Sequence, residues 1–174
     1  MRHPQKILII GILLLFVSSC AYSSSGAPVV LVTGFEPFDD YEVNPSQLIA
    51  ETLNGSSFED AEIIGIVLPV DFNTSVERAI QAIEQYHPIL VISIGLAARS
   101  PTIKVEKIGI NLKRYPIGDN AWSFPRRIDP TGPFFRFSPL PTNDIVSKMR
   151  DVNISARQSL FAGTYVCNAV FYQY

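Results

Sequence analysis

Cys167 is the clearest nucleophile in this chain. It stands in Ala162-Gly163-Thr164-Tyr165-Val166-Cys167-Asn168, where a strand-like run turns through a glycine into the opening of a helix. The unpaired N–H groups of a helix N-terminus carry partial positive charge and stabilise a thiolate. The structural alternative is a buried, inert thiol, since cysteine is among the most buried residue types. Glu106 is the second candidate. It lies in the apolar-rich segment Val105-Glu106-Lys107-Ile108-Gly109-Ile110-Asn111, where a carboxylate could orient a catalytic base or act electrostatically. Lys104 and Lys107 beside it favour, on pattern alone, a solvent-facing strand residue. Phe35 and Phe38, in Gly34-Phe35-Glu36-Pro37-Phe38, could wall a small pocket or simply pack onto the core beneath. The sequence holds two histidines. His87 precedes Pro88 and reads as a helix C-terminal cap; His3 belongs to the N-terminal leader. No Cys/His pair has metal-ligand spacing and no glycine-rich phosphate fingerprint is present, so neither metal nor cofactor is expected.

The elements that must position these residues alternate between strand and helix. Val29-Val30-Leu31-Val32 is a short apolar run of the kind buried on both faces of a parallel sheet. Asn44-Pro45-Ser46-Gln47 predicts a helix start, with Asn44 as N-cap, Pro45 at the first helical position and Gln47 at the capping-box position; Asn54-Gly55 ends the helix. A second strand spans 63–67. A second helix, capped by Asn73, carries Val76, Ala79, Ile80 and Ile83 on one stripe and stops at His87-Pro88. Further strands are expected over 89–94 and 103–112. After a proline-rich loop from Pro116 to Pro141 come a short helix around Ile145, Val146 and Met149, a strand over 156–161 and a helix opening near Val166. This alternation predicts an α/β fold, a three-layer α/β/α sandwich on a largely parallel twisted sheet with right-handed crossovers. Ligands of such sheets gather at the carboxyl ends of strands, where Gly34-Phe35, Gly95-Leu96 and Gly163-Thr164 fall.

The chain has 174 residues, 47% of them hydrophobic, enough for one domain with a core. A net charge of −2 without clustered lysine and arginine gives no electrostatic footprint for nucleic acid. Arg2, His3 and Lys6 precede an apolar run from Ile7 to Val17, shorter than the ~20 residues a membrane-spanning helix needs but suited to a signal peptide. Val17-Ser18-Ser19-Cys20 resembles a lipoprotein box, with Cys20 as the lipidated residue, and Ser23-Ser24-Ser25-Gly26 reads as a tether. The expected organisation is a leader and tether over 1–26 and one α/β domain over 27–174. The expected location is export, as a membrane-anchored lipoprotein or a periplasmic or secreted protein.

Three motifs together resemble the type I pyroglutamyl peptidases, or pyrrolidone carboxyl peptidases. Val30-Leu31-Val32-Thr33-Gly34-Phe35-Glu36-Pro37-Phe38 followed by Asn44-Pro45-Ser46 is similar to that family's N-terminal signature. Val105 to Asn111 with Asp119-Asn120 is similar to the segment bearing its glutamate, and Ala162 to Asn168 to the segment bearing its cysteine. The resemblance implies a cysteine exopeptidase that removes N-terminal pyroglutamyl residues from peptides through an acyl-thioenzyme. It implies Cys167 as nucleophile and Glu106 as the acid supporting a histidine. Phe35, Phe38, Ile117, Tyr165 and Val166 would surround the pyroglutamyl ring. It also implies homo-oligomers, and a generally cytosolic family in which a leader is a departure. Further departures are Leu96-Ala97-Ala98-Arg99-Ser100 in place of a glycine-rich stretch, Pro116-Ile117-Gly118 in place of Arg-Ile-Pro, and Asn168-Ala169 in place of Asn-His. The family's histidine follows the helix begun by the cysteine, whereas this sequence runs to Tyr174. The expectation is therefore a fold with its last part missing and a loss of several powers of ten in rate. The rival expectation is a membrane-anchored pseudoenzyme that binds pyroglutamyl peptides without cleaving them. An electron carrier or nucleotide binder has only the fold class behind it.

Overall fold

The computed structural model describes residues 26–114 and 124–174. Cys20 and nearly all of the expected leader and tether, together with Ile117, Asp119 and Asn120, lie outside the described residues. Among those described, the strands form two hydrogen-bonded sets. The first contains β1 (Val29–Phe35), β2 (Ser57–Phe58), β3 (Ala61–Leu68) and β4 (Leu90–Ser93) in the order β2-β3-β1-β4. β1 runs parallel to both β3 and β4, and β2 folds back antiparallel on β3. The second contains β5 (Ile103–Ile110), β6 (Phe135–Phe137) and β7 (Ala156–Phe161) in the order β6-β5-β7, with β5 and β7 parallel and β6 antiparallel. The helices are α1 (Pro45–Leu53), α2 (Phe72–Tyr86), α3 (Thr142–Asp151) and α4 (Val166–Gln173). The expected α/β class with mostly parallel strands holds, although the strands divide into two sets where one sheet was expected. β2 and β6 are additions to the expected elements, because runs of two and three residues are too short to show periodicity.

β1 is buried on both faces, as its apolar run requires: Leu31 and Val32 are almost fully buried, and Thr33 and Gly34 are buried with them. Register pairs Gly34 with Val67 and Phe35 with Leu68, so successive pairs face opposite layers. On one side lies α1, close enough that a Cβ on Gly34 would overlap the backbone carbonyl of Ser46, and one on Gly65 that of Ala50. On the other side Phe35 and Leu68 pack with Phe72 and Ala79 of α2 and with Val166, Ala169 and Val170 of α4. This is the α/β/α layering around β1.

Two cap assignments change. α2 is capped by Asp71, two residues before Asn73. Its backbone is extended and its Oδ1 accepts from the N–H groups of Asn73 (3.0 Å) and Thr74 (2.8 Å). The buried stripe of α2 accordingly starts at Phe72 and runs through Ser75, Ala79 and Ala82, leaving Ile80 on the exposed flank. In α1, Asn44 caps Ser46 as expected, but Gln47 bonds forward to Glu51 (2.8 Å) instead of back to the cap. His87 does close α2, in the left-handed conformation at φ 45°.

Hydrogen bonds from Thr74, backbone first, hold the Asp71 carboxyl below the ordinary carboxylate range. A lowered folded-state pKa contributes stability above the unfolded value, roughly pH 4, and loses it as pH falls through the folded value. Asp71→Ala is expected to cost about 1 kcal/mol in urea unfolding at neutral pH, and Asp71→Asn far less, because asparagine caps equally well. The Ala deficit should shrink as pH falls through the lowered folded-state pKa, where the wild-type carboxylate is itself protonated.

Candidate active site

β7 ends at Phe161, and Gly163, at φ 83°, makes the reversal into α4. That left-handed backbone is cheap only for glycine. Tyr165 follows as an extended N-cap without a side-chain cap bond, so Val166 and Cys167 are the first two residues of α4. Cys167 is half-buried, with Sγ 4.0 Å from the carbonyl of Ala162. A Cβ placed on Gly95 would sit 3.4 Å from the Cys167 Cβ and 3.8 Å from the Phe35 ring. Gly95, just beyond β4, Phe35, at the end of β1, and Cys167 therefore border one spot at the carboxyl ends of parallel strands.

Glu106 sits within β5, and its Oε2 is buried without a hydrogen-bond partner among the described residues. Burial is the main force raising the Cys167 thiol above its ordinary range, and the negative charge of Glu106 pushes the same way. The backbone N–H groups of Asn168 and Cys167 pull it down, as a helix start should, but burial outweighs them. The helix N-terminus alone is thus insufficient to make this thiol a thiolate.

The other expected residues are placed unequally. Phe35 is both core and wall: its ring is buried in the cluster shared with α4, and it also borders Gly95. Val166 is buried in the same cluster. Phe38 is half-buried against Tyr41, with ring centroids 5.7 Å apart. The Tyr165 side chain is exposed. His87 stands before β4, at the end of that strand opposite Gly95. Among the described residues, no group of three His, Cys, Asp or Glu side chains could hold a metal ion.

Sequence reasoning missed how firmly the Gly34–Glu36 corner is held. Asn44 Oδ1 accepts from the Ser46 N–H (3.0 Å) and hydroxyl (2.8 Å), and its Nδ2 donates to the Glu36 carbonyl (3.0 Å). Ser46 Oγ in turn accepts from the Phe35 N–H (3.0 Å). Residues that read in sequence as a helix start and part of a family signature therefore also fix the backbone under Phe35. Both are fully or nearly fully buried, a property that a cap assignment does not reveal.

The charge relation gives a test. Alkylation of Cys167 by iodoacetamide should rise with a midpoint above that of an ordinary thiol (~8.5). Glu106→Gln removes the opposing charge and should lower that midpoint. Peptide mass mapping against pH reads Cys167 separately from Cys20; a midpoint that stays put or rises in Glu106→Gln would contradict the effect of the Glu106 charge on the thiol.

Comparison with known proteins finds one family. The family described as pyroglutamyl peptidase matches residues 29–174. The pyrrolidone-carboxylate peptidase of Saccharolobus islandicus is 42% identical over 145 residues, covering 82% of this chain and 69% of that protein. The one from Coprothermobacter proteolyticus is 37% identical, covering 82% and 70%. Among solved structures, the pyrrolidone carboxyl peptidase of Thermococcus litoralis superposes with a TM-score of 0.79 at 33% identity, covering 84% of this chain and 67% of that one. A Pyrococcus furiosus structure gives 0.78 at 38%, covering 83% and 71%. The expected exported, lipid-anchored location is corrected by these relatives, which are pyrrolidone-carboxylate peptidases of archaea and bacteria. Among the described residues no helix is long and apolar enough to cross a membrane. By family match, identity and fold together, this chain belongs to the pyroglutamyl peptidase family of cysteine peptidases.

Proposed function

We propose that Cys167 is the nucleophile, and Glu106 the supporting carboxylate, of a Cys–His–Glu site that releases N-terminal pyroglutamyl residues from peptides. The observation that carries this reading is the meeting of three elements at the strand ends. A thiol on the first turn of α4, the Phe35 ring and the side-chain-free Gly95 adjoin, with a half-buried carboxylate whose charge acts on the thiol. A lactam ring is flat and apolar on both faces, and the gap kept by Gly95 beside an aromatic ring suits it. Val166 would support the floor of the pocket, and Phe38, Tyr165 and Ile117 would enclose the ring further.

The chemistry follows from the thiol's state. Burial keeps it protonated, so a base must take the proton as sulfur attacks the pyroglutamyl carbonyl. The C–S bond forms, the peptide C–N bond breaks, and the departing amine receives the proton. Water then cleaves the thioester, giving pyroglutamate and the original thiol. An imidazole is suited to carry that proton both ways, and the unpartnered Oε2 of Glu106 could accept its second N–H and hold its orientation.

A second reading, binding without turnover, is favoured by one observation: the only histidine among the described residues, His87, is remote from Cys167. A pyroglutamyl chromogenic amide assayed beside a pyroglutamyl-peptide binding measurement separates the two. Turnover that falls at least about a thousandfold in Cys167→Ala supports the peptidase reading. Saturable binding without turnover, unchanged in Cys167→Ala, supports the binding reading and sinks the first.

A further inference from the structure

β5 offers its backbone groups alternately to its two neighbours. Ser138 donates to Lys107 O (2.9 Å) and Asn111 donates to Phe134 O (2.9 Å), so the odd-numbered residues bond towards β6. The even-numbered residues point to the β7 side. Yet the β7 pairing stops with Ile108 opposite Phe161, because the chain turns away through Gly163 into α4. The Ile110 groups and the Leu112 carbonyl are therefore left buried or half-buried on a side where no strand follows, the Leu112 N–H turning back to the Ile110 carbonyl (2.8 Å).

The side chain of Asn168 takes that place. Its Oδ1 accepts from the Ile110 N–H (2.9 Å), and its Nδ2 donates to the carbonyls of Ile110 (2.9 Å) and Leu112 (3.0 Å). A primary amide has one acceptor and two donors, and here all three functions are spent on β5. Asn168 is fully buried, so no water competes for these bonds. The planar amide thus acts as one more peptide unit in the ladder, and it is carried by the residue next to Cys167. Four residues back along the same strand is Glu106.

We infer that Asn168 is a positioning residue, whose amide extends the β5 ladder and thereby fixes Cys167 of α4 in register with Glu106 of β5. The inference rests on the reading of Cys167 and Glu106 as the working pair. Asn168 touches neither substrate nor reacting atoms in this role; it sets where the thiol stands relative to the carboxylate. Hydrophobic packing of Val166, Ala169 and Val170 seats α4 in the core but is non-directional, so it leaves axial slide and rotation poorly defined. Three hydrogen bonds of fixed geometry remove that freedom.

The coupling between the pair is measurable without turnover. In the full chain, the pH midpoint of Cys167 alkylation is read for wild type, Glu106→Gln, Asn168→Ala and the double variant, with thermal melting recorded in parallel. Glu106 is the charged group that acts on Cys167, so the shift produced by Glu106→Gln reports their proximity. The expected result is that this shift falls to less than half in the Asn168→Ala background. Asn168→Ser, which keeps one donor, should retain an intermediate shift and serves in place of Asn168→Ala if that variant does not fold. A full-sized shift in folded Asn168→Ala or Asn168→Ser overturns the inference and leaves the reading of the site intact. Failure of both variants to fold also overturns it, since the amide would then be a stability element alone. If Glu106→Gln produces no shift in the wild-type background, the reading of the pair itself fails.

Discussion

Helix α4 has to satisfy two sheets at once, and most of the site follows from how it does so. Val166, Ala169 and Val170 bury it against β1, β3 and α2, while Asn168 and Tyr172 commit it to β5 and its loops. Gly109 of β5 lies against the backbone of Tyr172, with a Cβ there only 3.0 Å from the Tyr172 Cα. The Tyr172 hydroxyl donates to the Pro133 carbonyl (2.6 Å), and Arg136 lies over its ring at 4.6 Å. A helix held from both sides brings its first turn to the line where the carboxyl ends of β1 and β4 approach the end of β7. Cys167 is the side chain that this geometry delivers there.

The environment so created pulls in two directions. Burial around the thiol disfavours the thiolate, and the same packing would form one wall of the proposed pocket. A helix start with two helpful N–H groups does not overcome burial plus a neighbouring carboxylate. A carboxylate raises a thiol's pKa when it stands alone, and it becomes useful when a cationic imidazole lies between the two. Glu106 therefore fits the role of orienting a base better than that of activating sulfur directly.

Much of this was legible in the residues. The β-branched run before Gly34, the Asn44-Pro45 helix start and the Gly163 turn into Cys167 each have a local physical signature, and each stands where it was expected. Asp71 was missed as a cap because Asn73 is an equally good cap type two residues on, and only the extended backbone at Asp71 decides between them. Glu106 looked solvent-facing from its lysine neighbours, whereas one of its oxygens is buried. Asn44, Ser46, Asn111 and Asn168 were less legible still. A polar residue carries no mark of burial, and their partners lie as far as 58 positions away in sequence. Asn111 binds both ends of the 128–133 loop, accepting from Ile128 and Asp129 and donating to the carbonyls of Asp129 (2.7 Å) and Pro133 (3.2 Å). These buried amides replace the strand partners that irregular segments lack, which is a tertiary property.

The central claim is that Cys167 stands in a pocket shaped for a pyroglutamyl ring. Its most direct test is labelling by a pyroglutamyl chloromethyl ketone, in which sulfur displaces chloride, followed by mass mapping of the adduct. The account predicts one adduct, on Cys167 and not Cys20, formed far faster than with the matching prolyl reagent and slowed by excess pyroglutamyl peptide. Equal labelling by both reagents, or a Cys167 adduct that pyroglutamyl peptide does not slow, would contradict it.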